Sequence, residues 1–419
     1  MLMNYLLILL ACLVGNQCSE TANHPGHLKP FGSSGPYLQI ENVNDLPTKI
    51  FFSNYVKPKR AVLMKNFVNQ FPAFVKWNDQ YLNDNSYKNP DYKVLLETSK
   101  KETRNQETVS LPLHDFLLIY NTSQLYMVSE VPPYIKKDVV LPQPLQCAQA
   151  PSVLEETIMW FSSGGTSSVT HTDDYENILC VFDGIKELVL VDYFKHKKAA
   201  DMIIDQHKGA YSSMDVDKVD YEKFPLIKEL EYYRFNLSAG DCLYIPYKWV
   251  HQVRSYGRNL AINFWFNYER IFGNDEFGQE CSDNKLDLSK TLDTFTYGPV
   301  EDNFFYNFKI FIMRQVNLGN RKIDQWISLV LGEKELTDEK KELSIEMLNE
   351  MFSLMDFDGN GLLSDDEVID LNENSIEHIL GILNEVESII YEDSEQNEDP
   401  EDEDELDESL DEENLREEL

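Results

Sequence analysis

Two long stretches in the middle of the chain alternate apolar with polar residues, which is the period of a β-strand. Residues 171–193 read HTDDYENILCVFDGIKELVLVDY, and the Asp183-Gly184 pair in their centre predicts the turn of an antiparallel hairpin. Residues 234–266 read RFNLSAGDCLYIPYKWVHQVRSYGRNLAINFWF, with turn signals at 239–241 and 256–258. They predict a second hairpin, which contains a strand from Cys242 to Ile245.

Other patterns flank this region. Residues 19–45 contain several Pro and Gly residues and predict an extended lead-in. Residues 46–155 mix strand and helix patterns. From 304 to 331, apolar residues recur at helical intervals around an interruption at Gly319. Apolar residues recur at helical spacing again on both sides of 356–367, so the last third of the chain is predicted to be largely helical.

Polar residues in the two alternating stretches form a candidate metal face. His171 and Asp173 lie two residues apart, so their side chains share one face of a strand. His251 can complete the set from the opposite wall if the two hairpins face each other. Two histidines and one carboxylate leave open coordination positions and are diagnostic of non-haem Fe(II) oxygenases. The alternative for His251 is a packed side chain beside Trp249.

The order of these motifs resembles a known family. The run WFSSGGTSSVTHTDDYENILCVFDGIKELVLVDY, followed by GDCLYIPYKWVHQV and NLAINFWF, is similar to the JmjC hydroxylases, which are cupin-like 2-oxoglutarate oxygenases. The resemblance covers about residues 50–270 and is strongest from Trp160 to Phe266. It implies a mainly β fold with flanking helices, built on a double-stranded β-helix (jelly-roll) barrel. The expected oxygenase domain spans 46–335, with its barrel core at 156–270 and C-terminal helices at 300–335.

The resemblance also implies roles for individual residues. His171, Asp173 and His251 become the Fe(II) ligands, and Lys186 becomes the partner of the distal carboxylate of 2-oxoglutarate. From spacing alone, a Lys186 that points to solvent beside Glu187 is equally consistent, because lysine is mostly exposed. The remaining cosubstrate contacts are expected from Asn177, Asn263, Tyr126 and Ser168. Ser168 stands where the family often has threonine, so a hydroxyl is kept.

The segment 356–367, DFDGNGLLSDDE, predicts an EF-hand calcium loop within a region spanning 336–391. Gly361 occupies the position of the sharp turn. Oxygen ligands are expected from Asp356, Asp358, Asn360, the carbonyl of Leu362, Ser364 and Glu367. EF-hands usually occur as pairs, and no second loop is evident. Either this hand packs on the oxygenase domain, or it has a degenerate partner that the pattern does not reveal.

The helices at 300–335 leave two interpretations. Helices after the barrel support dimers in similar hydroxylases, which makes a homodimer an expectation here. They could instead cradle the EF-hand.

Charge changes the list of partners. The chain carries a formal net charge of −36, and residues 392–419 hold 17 acidic residues against one basic residue, Arg416. Such a block repels itself and predicts a disordered tail. The strong negative charge argues against nucleic acid as a partner.

The two ends of the chain predict a subcellular location. Residues 1–18 predict a secretory signal peptide, because their apolar core is short for a membrane span. No later stretch is long and apolar enough to cross a bilayer. The last residues, REEL, resemble the KDEL and HDEL retrieval signals. The expected location is the lumen of the endoplasmic reticulum, with secretion as the alternative.

A luminal location makes cysteine pairing and glycosylation relevant. Outside the signal, Cys147, Cys180, Cys242 and Cys281 allow three pairings. A Cys147–Cys281 bridge is one option, and Cys180 and Cys242 could equally be buried thiols. Two glycosylation motifs begin at residues 121 and 236. The one at 121 looks loop-like, whereas the one at 236 precedes a core strand and is expected to be unavailable.

Three functions remain. The first is an Fe(II)- and 2-oxoglutarate-dependent dioxygenase that hydroxylates a side chain of a protein or peptide substrate in the secretory pathway and binds calcium through one EF-hand. The second is a non-catalytic luminal calcium-binding scaffold. The third is a lysine demethylase, which a luminal location disfavours.

Overall fold

The computed structural model describes residues 23–102, 107–205, 210–267, 279–297, 304–317, 319–332, 334 and 336–395. The predicted signal peptide and most of the predicted acidic tail lie outside these residues. The described chain forms two compact units, residues 23–297 and residues 304–395. No helix among the described residues combines the length and the apolar character that a membrane crossing requires.

The first unit is mainly β. Its strands are β1 Tyr37–Leu38, β2 Glu41–Val43, β3 Val62–Met64, β4 Lys93–Glu97, β5 Thr108–Pro112, β6 Tyr126–Glu130, β7 Leu154–Ser162, β8 Glu176–Val191, β9 Tyr232–Ser238, β10 Cys242–Ile245 and β11 Val250–Phe266. Its helices are α1 Thr48–Phe51, α2 Pro72–Lys76, α3 Asp79–Tyr87, α4 Leu113–Ile119 and α5 Lys197–Ile203. The strands form one sheet system in the order β2-β3-β10-β8-β11-β7-β6-β4-β5, with β9 on β8 and β1 on β9. This architecture is consistent with a cupin-like jelly roll.

The two predicted hairpins are wrong, because the chain does not turn back at their glycines. Strand β8 continues through Gly184 and pairs with β11 along its length. Its first half pairs with β10 on the other edge and its second half pairs with β9. Gly184 has φ +77°, and a Cβ there would lie 2.3 Å from the carbonyl oxygen of Arg258. Glycine therefore allows β8 to bend against β11 where the sequence suggested a turn.

The lead-in differs in detail from the expectation, whereas the strand that precedes His251 does not. Residues 19–45 were expected to form an extended lead-in, and two short strands in it join the sheet: β1 pairs with β9 and β2 pairs with β3, both in parallel. Strand β10 has the predicted bounds, Cys242–Ile245. Glu176 at the start of β8 is buried and accepts hydrogen bonds from Lys59, Tyr244 and the backbone N–H of Tyr247. These bonds anchor the strand that follows the metal face.

Two disulfides lie in the first unit, Cys147–Cys281 and Cys180–Cys242. The second joins directly opposed residues of β10 and β8. Of the pairings that the sequence allowed, this arrangement includes the Cys147–Cys281 option and replaces the buried thiols at 180 and 242 with a bond.

The second unit is helical. Its helices are α6 Phe304–Asn317, α7 Ile323–Leu331, α8 Asp338–Met355, α9 Asp365–Asp370 and α10 Glu373–Glu395. They share one apolar core, to which α6 and α7 contribute Phe308, Ile312 and Trp326. The helices at 300–335 therefore belong to the unit of the calcium segment, although the sequence assigned them to the oxygenase domain. The predicted tail begins at 392, but α10 continues to Glu395.

Candidate active site and calcium loop

His171 and His251 are neighbours on one wall of the barrel. The backbone N–H of His171 donates to the carbonyl of His251 at 3.0 Å, and the reverse bond measures 2.9 Å. Their ring centroids lie 4.1 Å apart. The expectation that His251 approaches from the opposite wall is wrong, because the segment before β8 pairs directly with the start of β11.

The three predicted ligands converge. The Nε2 atom of His171 lies 3.9 Å from Asp173 Oδ1, and the Nε2 atom of His251 lies 3.6 Å from Asp173 Oδ2. The Nδ1 atoms of the two rings lie 2.9 Å from the carbonyl oxygens of Val169 and Trp249. A carbonyl can only accept, so each Nδ1 carries the proton and each Nε2 keeps its lone pair for a metal.

The protein also restrains the acid and keeps one imidazole neutral. Asn177 Nδ2 donates to Asp173 Oδ2 at 2.9 Å, and the backbone N–H of Lys248 donates to the Asp173 carbonyl at 3.0 Å. Burial, and then the neighbouring His171, lower the pKa of His251 to about 4. His251 is therefore neutral near pH 7, as a metal ligand must be.

A cavity of about 100 Å³, partly open to solvent, contains this set. Lys186 lines the same cavity, is only 3% exposed, and donates from Nζ to Ser255 Oγ at 2.9 Å. Burial lowers the pKa of Lys186 to about 8, although the charge of Glu102 opposes the shift. Its neighbour Glu187 instead bonds Arg234 and Tyr256 near the surface. The solvent-facing interpretation of Lys186 is therefore wrong.

The other predicted cosubstrate residues line the cavity too, with different freedom to bind a ligand. Asn263 donates from Nδ2 to Asn177 Oδ1 at 3.0 Å, and its own Oδ1 is buried without a hydrogen-bond partner. Asn177 is engaged by both Asp173 and Asn263, so the structure makes it a positioning residue for the acid. Ser168 Oγ accepts from the backbone N–H of Val253. Burial raises the pKa of Tyr126 well above 10, so its hydroxyl stays neutral.

Two glutamates near the cavity were missed from the sequence. Glu102 lines the cavity, and burial raises its pKa, although His171 and the backbone N–H of Val169 oppose the shift. Glu97 lies opposite Tyr126 in the β4–β6 pair, and its Oε2 is buried without a hydrogen-bond partner. Burial, and then the charge of Glu102, raise the pKa of Glu97 to about 7. No local motif marks these residues, because the burial that raises their pKa values arises only in the folded barrel.

The residues fit Fe(II) and 2-oxoglutarate. Two imidazole nitrogens and one carboxylate lie with their ligand atoms within 4.8 Å of one another, which is the donor set of non-haem iron oxygenases. A buried ammonium in the same cavity requires an anionic partner, and a dicarboxylate provides one. His171, Asp173 and His251 could hold the metal, and Lys186 could hold the distal carboxylate.

The predicted calcium loop has a separate site. The acidic groups of Asp356, Asp358 and Glu367 come within 4.8 Å of one another. Asp356 accepts from the backbone N–H groups of Asn360 and Gly361, and Glu367 accepts from Asp358 and Ser364. Burial alone would raise the pKa of Glu367, but these bonds outweigh it and hold the pKa below its usual range.

The remaining predicted calcium ligands lie in the same loop. Asn360 Oδ1 accepts from the backbone N–H of Leu362, and Ser364 caps helix α9. The loop is therefore ordered by its own backbone, with its carboxylates gathered toward one point.

Comparisons with known proteins place the first unit in a family. The family described as "Cupin-like domain" matches residues 47–270. Lysine-specific demethylase JMJ30 of Arabidopsis thaliana is 28% identical over 249 residues, which is 55% of each chain. Jumonji C domain-containing protein 5 of Drosophila melanogaster is 25% identical over 55% of this chain and 59% of its own length. The human bifunctional peptidase and (3S)-lysyl hydroxylase JMJD7 is 21% identical over 55% of this chain and 85% of its own.

The matched region spans between half and three fifths of the first relatives' length. It contains the three converging ligands and Lys186, and it excludes the helical unit. The family match covers more than half of the chain, and we conclude that this protein belongs to the cupin-like domain family.

Proposed function

We propose that the chain is an Fe(II)- and 2-oxoglutarate-dependent dioxygenase that hydroxylates a side chain of a protein substrate in the secretory pathway. The observation that carries the proposal is the convergence of His171, Asp173 and His251 in the cavity that holds the buried Lys186. The similarity to Jumonji C domain-containing protein 5 and to a (3S)-lysyl hydroxylase supports the same class of reaction.

Each residue has a defined task in this mechanism. When bound, Fe(II) and 2-oxoglutarate supply the oxidising power, since decarboxylation of the keto acid to succinate and carbon dioxide allows dioxygen to hydroxylate a C–H bond. His171, Asp173 and His251 would hold the metal. Lys186 orients the cosubstrate by its distal carboxylate. Asn177 fixes the rotamer of Asp173, and the cavity walls limit the access of water.

The acceptor is proposed to be a basic side chain. Glu102 in the cavity and Glu97 beside it both have raised pKa values, because each carboxylate is partly buried and close to another one. A lysyl or arginyl cation would relieve both costs at once. The similarity to a lysine-specific demethylase and to a (3S)-lysyl hydroxylase supports this choice. Hydroxylation is preferred over demethylation, because a luminal protein does not meet chromatin.

The proposed location in an oxidising compartment is supported by the disulfide bonds. The disulfides Cys147–Cys281 and Cys180–Cys242 persist in the secretory pathway and are rare in the cytosol. Asn121 is exposed in a turn, which supports its use as a glycan acceptor. Asn236 is exposed in β9, so the expectation that it is unavailable is not supported. Glycosidase treatment should increase the electrophoretic mobility of the wild-type protein, and Asn121→Gln should lack this shift. The comparison tests entry into the lumen.

Calcium binding is the second part of the proposal. Three carboxylates converge in a loop of the length and ligand pattern of an EF-hand, and oxygen donors of this kind suit a hard cation. A calorimetric titration of the full chain with Ca²⁺ tests this part independently of catalysis.

Turnover tests the oxygenase. Iron-loaded protein with 2-oxoglutarate and basic peptides should release succinate, and mass spectrometry should find one added oxygen atom on a Lys or Arg side chain. The His171→Ala, Asp173→Ala double variant should do neither. Succinate release at the level of the double variant, with luminal extracts as well as peptides, would favour the calcium-binding scaffold instead.

A further inference from the structure

A link between two loops joins the helices of the second unit. The backbone N–H of Leu363, in the middle of the calcium loop, donates to the carbonyl of Arg321 at 2.8 Å. The Arg321 guanidinium in turn donates to the carbonyl of Leu363 at 3.3 Å. Arg321 lies in the short connection between α6 and α7. The calcium loop is therefore bonded through both backbone polar groups of one residue to a second helix–loop–helix.

The packing of the helices has the same reciprocal form. Helices α6 and α7 make one pair, and α8 and α9 make the other around the calcium loop. The incoming helix α6 packs against the outgoing helix α9, and the incoming helix α8 packs against the outgoing helix α7. Such an exchange is what an approximate two-fold axis between two similar units produces. Phe308 and Ile312 of α6 and Trp326 of α7 lie in the same core as Met355 and Val368.

The α6–α7 connection cannot enclose an ion of its own. Only five positions of the sequence separate Asn317, where α6 ends, from Ile323, where α7 begins, whereas an EF-hand needs about twelve loop residues to supply its oxygen ligands. Its backbone is committed to ordering the turn, because Gln325 Oε1 accepts from the N–H groups of both Arg321 and Lys322. Gly319, with φ +97°, permits the reversal.

We propose that α6–α7 is an ion-free partner hand of the calcium loop, and that Arg321 is a positioning residue which sets the calcium affinity of that loop. The inference rests on the proposed calcium site. Arg321 holds Leu363 in place, so the oxygen ligands on either side of Leu363 are ordered before calcium arrives. Calcium binding then tightens the whole core, including α7. The long helix α10 packs on both incoming helices and buries Ile376 and Ile379 there, so tightening exposes no new apolar surface.

If Arg321 acts through its charge, its replacement should change the calcium affinity in one direction. If it acts through its positioning contact, the change should have the opposite sign, which allows a sharp test. Removing a positive charge near a cation site should strengthen calcium binding, because it abolishes a Coulomb repulsion. Removing a positioning contact should weaken it. The full chain is titrated with Ca²⁺ by calorimetry, as wild type, Arg321→Met and the charge-matched control Lys341→Met on the exposed side of α8. We expect Arg321→Met to weaken binding by about fivefold, the scale of one lost hydrogen bond, and Lys341→Met to leave it equal or slightly stronger.

A second readout does not depend on the arginine variant. Trp326 on α7 is the sole tryptophan after residue 300, and its side chain is buried in the shared core. Ca²⁺ should change the emission of the wild-type chain, and Trp326→Phe should remove that change.

The outcomes separate the two ideas. The partner hand would be overturned if calcium bound without changing the Trp326 emission and bound Arg321→Met and Lys341→Met with equal affinity. The calcium site itself would then stand. Wild-type titrations as flat as those of Glu367→Gln would remove both.

Discussion

The two candidate metal sites are built in contrasting ways. In the barrel, the proposed iron ligands come from two distant segments of the chain and are held by bonds from the surrounding sheet. His251 is 3% exposed, and both imidazoles are oriented by backbone carbonyls. In the helical unit, every proposed calcium ligand lies within residues 356–367, and Asp356 and Asp358 are partly or fully exposed. There the loop's own backbone arranges the carboxylates.

The difference follows from the charge that each site must tolerate without its ion. In a buried site each further unpaired charge is costly, and the raised pKa values of Glu97 and Glu102 beside Asp173 reflect that cost. The proposed ligand set of the barrel has one acid and two histidines, and it needs a rigid sheet to aim them. In the calcium loop, water solvates Asp358 and partly solvates Asp356, whereas the buried Glu367 accepts hydrogen bonds from the backbone N–H groups of Asp358 and Ser364. The ligands of the barrel site are thus positioned by the fold, whereas the ligands of the calcium loop are positioned by a local motif.

The largest expected effect is on unfolding, and it tests whether the two units are stabilised separately. Removing the Cys147–Cys281 bridge with the double Cys→Ser variant should lower the unfolding free energy of the barrel by about 2–4 kcal/mol, because the bridge closes a long loop in the unfolded chain. The sequence after residue 300 contains no cysteine. Calorimetry should therefore show the barrel transition shifted by the variant and the helical transition shifted by Ca²⁺. A single transition that responds to both would mean that the two units unfold together.

The next effect concerns the buried cation of the barrel site. Lys186→Met should weaken 2-oxoglutarate binding by about 100-fold, because it leaves a carboxylate in the cavity without its partner. The control Lys198→Met removes an exposed charge from α5 and should leave the affinity unchanged. Calcium binding should be the same in both variants. Equal 2-oxoglutarate affinities for the two methionine variants would show that Lys186 does not hold the cosubstrate.

A smaller change is expected from one carboxylate of the exposed site. Glu367→Gln should weaken Ca²⁺ binding by at least about tenfold, since affinity follows the number of charged ligands. Glu373→Gln, on the exposed start of α10, is the matched control and should change little. Succinate release should be equal in the two variants if the sites act separately. A rate that falls only in Glu367→Gln would show that calcium controls turnover.

More of the calcium loop than of the barrel site could be predicted from the sequence. The reason in both cases is how far apart the proposed ligands lie along the chain. Ligand spacing alone predicts the calcium loop, because every proposed ligand is close in sequence, and calcium binding there stays a prediction. His171 and Asp173 were also paired by spacing, but the position of His251 relative to them depended on the family resemblance. Its direct backbone pairing with His171 was not predicted. The pairing partner of a strand is chosen by the whole sheet, and local alternation carries no record of it.

Glycines account for the main error in the fold. Asp183-Gly184 has the composition of a hairpin turn, yet Gly184 lets one strand bend against its partner. Turn and bend need the same positive φ, so the residue type does not distinguish them. The partner hand was missed in a similar way, because α6–α7 carries none of the oxygen ligands that identify such a motif. Glu97 and Glu102 were missed because burial, which raises their pKa values, is a property of the assembled barrel.

The smallest effect is a pH dependence that belongs to the buried site alone. Burial holds the pKa of Lys186 at about 8, against about 10.5 in an unfolded chain. Without ligand, stability should therefore rise as the pH increases from 8 toward 10.5, where the folded form has lost a proton that the unfolded form still binds. The distal carboxylate of 2-oxoglutarate needs the protonated ammonium. Its dissociation constant should consequently increase by about fourfold between pH 7 and pH 8.5.

A keto acid without a distal carboxylate, 2-oxobutyrate, supplies the matched control for this titration. It should contact the metal and not Lys186, so its affinity should lack the fourfold change. Both ligands share any pH dependence that arises at the histidines, and the ratio of the two dissociation constants therefore isolates the lysine. A ratio that stays constant from pH 7 to pH 8.5 would place the ammonium away from the cosubstrate. The buried cation would then belong to the Glu102 carboxylate, whose charge already raises its pKa.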